Sequence, residues 1–171
     1  LSDALYWPLH TSHPGRTPLP NGTLGAMLML LHQLDCLRAS LSPDQAYRLE
    51  QATSRAEAEL GHWAAQAEAK ASLEARARAR AWHTYAAEAE TTPDQAADDY
   101  PQQARGRTIL ALLQVRFSGV FRGASFTGQV TLADQRLREI TWPAPFVLDP
   151  ALEPAYPAEH YWWLYRRPGR G

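Results

Sequence analysis

SPDQAYRLEQATSRAEAELGHWAAQAEAKASLEARARARAWHTYAAEAE, residues 42–90, decides the fold. Across it Leu49, Leu60, Ala71 and Trp82 recur every eleven residues, with Ala56, Ala67 and Ala89 on the same stripe. Eleven residues make three turns at about 3.67 residues per turn, so the stripe stays on one side of a nearly straight helix. Ser42-Pro43-Asp44 opens the stretch with a hydroxyl N-cap, a proline at the first helical position and an acid near the positive helix end. Alanine and arginine, abundant throughout, are both strong helix formers. An unbroken helix from Pro43 to Glu90 would be about 70 Å long. A compact chain of this size has a radius of gyration of only about 15 Å. The rod therefore kinks at Gly61, or the fold is an elongated bundle with a first and a third helix end to end along the second.

Outward from this stretch, the first helix is expected over Leu24–Ala39, capped by Asn21 or Thr23. Thr23 is better placed, standing immediately before the apolar run. Leu24 to Leu31 is apolar all round, as in an element enclosed on several sides. The third helix is expected over Pro101–Phe117, where Ile109, Leu112, Leu113 and Phe117, with Val120 beyond, give one apolar face. A short turn from Pro93 precedes it. Thr92-Pro93-Asp94-Gln95-Ala96 echoes Ser42-Pro43-Asp44-Gln45-Ala46, but the echo does not continue as a repeat and is shared capping chemistry.

Beyond Phe121 the pattern changes. Phe126–Leu132 and Arg136–Trp142 alternate around Ala133-Asp134-Gln135, which suggests a β-hairpin with a short loop. A helix capped by Thr131, with Asp134 three residues on, is the competing reading. The β-branched Val130, Thr131, Ile140 and Thr141 favour the hairpin. A proline-rich connector from Trp142 to Pro157 then leads to the aromatic stretch His160–Tyr165 and a basic, fraying end. Three segments follow: a proline-rich extended one over 1–21, a helical bundle over 22–121, and a hairpin with an aromatic strap over 122–171. The fold class expected is mainly α, an elongated antiparallel three-helix arrangement with a small β-hairpin.

Composition narrows the function classes. The chain has 171 residues, 45% hydrophobic and 20% charged, with a formal net charge of −1, so no global field draws in nucleic acid or an anionic membrane. A single cysteine, Cys36, excludes an internal disulfide and a multi-cysteine zinc site within these residues. Leu24–Leu31 falls far short of the roughly 20 apolar residues of a membrane span. No signal-peptide pattern opens the sequence, and the cytoplasm is the expected location.

Chemistry-bearing patterns are few. Glu59 and His62 stand at the i, i+3 spacing of di-iron bundles, but the unit occurs once, with only His32 and Asp35 as a partial partner. A metal-dependent enzyme there ranks third among the readings. His10 and His13 lack a third ligand. Cys36 and His32 lie one turn apart, yet no acid orients the imidazole, and Cys36 reads as a small buried hydrophobe. No catalytic set, metal site or cofactor is expected.

Arg76, Arg80, Arg105 and Arg107, near Trp82, His83, Tyr85 and Tyr100, suggest an anion-binding or nucleic-acid-binding patch as the alternative reading. Against it, residues 74–107 hold six acids to five arginines, and arginines two apart lie about 200° apart around a helix. The leading expectation is a non-catalytic protein–protein interaction or assembly protein, a homo-oligomer or a subunit of a larger complex. An alanine-rich stripe allows close approach but contributes little apolar area, so a second chain would complete the core at Leu60, Ala71 and Trp82. Tyr161, Trp162, Trp163 and Tyr165 would add contact surface, aromatic residues being prominent in interfaces, or would strap the bundle.

Overall fold

The first two helices of this chain start at side chains that satisfy an early amide. In the computed structural model, which describes residues 22–169, Thr23 accepts from the Ala26 amide and opens α1 (Leu24–Cys36). A turn of 3-10 helix over Arg38–Ser40 leads to α2 (Pro43–His62). There Ser42 and Gln45 form a reciprocal capping box with Pro43 at the first helical position. The chain leaves helical geometry for one residue, Trp63, before α3 (Ala64–Thr91). Trp63 donates to the Glu59 carbonyl and Ala67 to that of Trp63, so the backbone ladder runs on through the break. The break thus falls at Trp63 rather than at Gly61, where a side chain would meet only open space. The expected segment 1–21, with His10 and His13, lies outside the described residues.

The third helix is longer than expected. α4 runs from Pro93 to Arg116 without stopping at Pro101. Proline has no amide to donate, so in a helix it strands the carbonyl four residues earlier. Here that carbonyl belongs to Ala97, and it accepts from the Arg167 guanidinium at 3.3 Å. A donor from far along the chain therefore takes the place of the missing one. Thr92 does not cap α4 with its side chain but turns its hydroxyl back to the Glu88 carbonyl.

After the short α5 (Ser118–Phe121) and a turn at Gly123, whose φ of 70° suits glycine, the chain forms α6 (Ser125–Ile140). The hairpin expected over 126–142 is therefore absent. Phe126, Val130, Ala133, Leu137 and Ile140 fall at i, i+4, i+7, i+11 and i+14, a helical stripe whose Phe126, Ala133 and Leu137 are buried. Packing against α3 overrides the β-branched propensity. Nor does Thr131 cap this helix, since α6 starts six residues earlier and the Thr131 hydroxyl donates to the Thr127 carbonyl.

A small antiparallel strand pair does exist, built instead from the two ends of the strap. β1 (Thr141–Pro143) pairs with β2 (Arg166–Pro168), with Trp142 opposite Arg167. Between them lie 3-10 turns at Pro150–Ala155 and Trp162–Tyr165.

The core gathers on α3. Ala67, Ala71, Ala75 and Ala79 recur every fourth residue, followed by Trp82, Tyr85, Ala86 and Ala89, all buried. Alanine lets backbones come close, and α6 and α4 pack along this helix. α1 does not lie end to end with α4; it packs beside α4 and α3. Gly25 makes that possible, because a Cβ there would collide with Ile109 and stand against the Glu74 carboxylate. Glu74 in turn accepts from the Gly25 amide at 2.8 Å, the Thr23 hydroxyl at 2.6 Å and Arg78 at 2.7 Å. No helix among the described residues is long and apolar enough to cross a membrane.

Candidate functional site

The residues that the sequence offered as partner contacts are largely inside the molecule. Leu60, Ala71 and Trp82 are buried in the chain's own core, as is Trp163 of the strap. Tyr161, Trp162 and Tyr165 are half-buried. Along α3 the reason is α6, which packs on the part of the stripe that holds Ala71 and Trp82.

At the centre of this packing sits Asp134 of α6. Its carboxylate accepts from the Trp82 indole at 2.8 Å and from Arg107 through both oxygens, at 3.1 and 2.8 Å. Arg107 also lies over the Trp163 ring, 4.0 Å from its centroid. The Trp163 indole donates to Thr108, and Tyr100 donates to the Trp163 carbonyl at 2.7 Å. One carboxylate thus joins α3, α4, α6 and the strap. The Arg107 side chain is 10% exposed. It is therefore a structural ion-pair partner, not a member of an anion-binding patch.

Burial raises the hydroxyls of Tyr85 and Tyr100 above the ordinary tyrosine range, and that of Tyr156 up to about 12. Tyr85 and Tyr100 remain protonated donors to the carbonyls of Ala96 and Trp163. The Tyr85 and Tyr100 hydroxyls tie segments together and are poorly suited to proton transfer.

Other chemical candidates disperse. Glu59 and His62 are exposed, with His62 edge-on to Trp63. His32 has Nε2 2.9 Å from the Ala155 carbonyl and its ring against Tyr156, while Cys36 is exposed rather than buried. Among the described residues no three potential metal ligands gather. Arg105 is exposed on α4, and the four arginines do not form one patch.

Two surfaces remain. On α3, Arg76 and Arg80 are exposed one turn apart, with His83 continuing the stripe. They form a ridge between two grooves. The groove toward α4, about 620 Å³, includes Glu88 and Asp99. The groove toward α6, about 500 Å³, includes Ser125 and Gln129 and, among the described residues, no carboxylate. The sequence did carry a signal for the ridge, since 76, 80 and 83 share one helical face from which Arg78 is excluded. It carried none for Ser125 and Gln129, whose segment reads locally as strand.

The second surface is on α1. Gly25, Met29 and His32 face inward, the first two fully buried. Leu30, Leu31 and Leu34 share a stripe that, at about 100° per residue, is centred opposite that face, while Met27 at its edge packs against the core. Leu30 is 54% exposed and the other three are half-buried. Compared with protein-family models, curated proteins and solved structures, the chain matches none.

Proposed function

We propose that the chain is a non-catalytic protein–protein interaction or assembly protein of the cytoplasm, and that its partner is a second copy meeting α1. The observation that carries this reading is the apolar stripe Leu30, Leu31 and Leu34 on the side of α1 turned away from the core, with Leu30 54% exposed. An apolar stripe that leaves a leucine more than half exposed suits an interaction site. The stripe bears no charge, so two copies can meet it across a twofold axis without like-charge repulsion. A partner chosen by charge would find no complement there. This surface stands in place of Leu60, Ala71 and Trp82, which serve the internal core.

Light scattering at two protein concentrations and two salt levels tests the reading. The expected result is a dimer that persists in high salt and that Leu30→Glu converts to a monomer with unchanged helical circular dichroism. A monomer under every condition for the unaltered chain would overturn self-association through α1.

A further inference from the structure

Arg76, Arg80 and His83 occupy positions i, i+4 and i+7 of α3, one continuous stripe beside the groove toward α6. Ser125 and Gln129, themselves one turn apart, line the same groove from α6. Among the described residues neither Arg76 nor Arg80 has an ion pair or hydrogen bond, whereas Arg78 between them is bound to Glu74 and Arg107 to Asp134. Two like charges one turn apart weaken a helix, so the pair does nothing to hold α3 together. What it presents is two planar forks of donors on one side of a groove whose described lining holds no carboxylate.

We propose that this groove binds a phosphate-bearing small molecule, its phosphate held by Arg76 and Arg80 and its remaining polar groups met by His83, Ser125 and Gln129. Guanidinium groups match phosphate oxygens two bonds at a time and keep their charge at any working pH. The α6 wall offers a hydroxyl and a carboxamide but no cation. That pairing suits a ligand charged at one end and polar at the other. A long polyanion needs a continuing track of cations, and across the ridge it would meet Glu88 and Asp99 instead. The inference goes beyond assembly through α1 and does not depend on it.

The test is a titration of the full chain with inorganic pyrophosphate, followed by NMR of the arginine side-chain N–H and histidine ring signals. Arg76, Arg80 and His83 should shift along one saturating curve, while exposed Arg55 on α2 stays still. Arg76→Gln with Arg80→Gln should weaken binding by about tenfold or more, the loss of two charge-assisted contacts, without lowering the thermal midpoint. Unsaturable shifts of equal size at Arg55 and Arg80 would overturn the proposal, as would undiminished binding by the double variant. Tight binding of an oligothymidylate without binding of pyrophosphate would overturn it in favour of a polynucleotide ligand.

Discussion

α2 and α3 are consecutive helices of one run, parted only at Trp63, yet different things hold them. Of the 20 residues of α2 only Leu49 and Leu60 are buried. Its order rests mostly on local chemistry: the Ser42–Gln45 box, Pro43 at the first position and the exposed Asp44–Arg48 pair, with one surface ion pair, Glu57–Arg116, reaching α4. Of the 28 residues of α3 eight are buried, six of them alanine. Both helices are rich in alanine, so composition is not the difference. In α3 the alanines at 67, 71, 75 and 79 align on one side, whereas those at 46, 52, 56 and 58 in α2 follow no single spacing. A small side chain matters to packing only where its neighbours along the helix are small on the same face. α6 lies on the helix that meets this condition.

The contrast breaks most severely at the middle of the α3 packing. Asp134→Ala would leave Arg107 buried without its partner and the Trp82 indole without its acceptor. The expected loss is about 3–5 kcal/mol by urea denaturation, because a buried ion pair stripped of one member leaves an uncompensated charge. Next in size is Gly25→Ala, which forces a methyl group into Ile109 and Glu74 at the junction of α1 with α3 and α4. Overpacking of this kind should cost about 1–3 kcal/mol, read as a lower thermal midpoint. Smallest is Ser42→Ala, which removes the α2 cap for about 1 kcal/mol. Hydrogen exchange should quicken at α2 amides while α3 amides hold their protection. Equal loss of protection in both helices would mean that they open as one unit, and the contrast would fail.

Local signals in the sequence were reliable where the physics is local. Thr23 and Ser42 cap the helices they precede, and Leu49, Leu60, Ala71 and Trp82 are all buried as their eleven-residue spacing implies. The failures are non-local. Segment 126–140 carries both a strand-like alternation and a helical stripe, and only the facing alanines of α3 decide between them. Pro101 read as a helix start because nothing nearby could show that Arg167 satisfies the Ala97 carbonyl. The apolar stripe of the long helix was legible as a stripe, but which element covers it was not. In the candidate groove the α3 half was readable from helical spacing, while the α6 half required that element to be a helix.

The proline inside α4 makes the order in which the chain is synthesised matter. The carbonyl of Ala97 receives its donor from a residue 70 positions later, and Tyr100 finds its acceptor 63 positions later. While a nascent chain has reached only α4, this stretch of helix lacks both partners and has reason to remain loose. Arrival of the strap closes it. The α3–α4 hairpin thus gains two long-range hydrogen bonds only once the strap has been made.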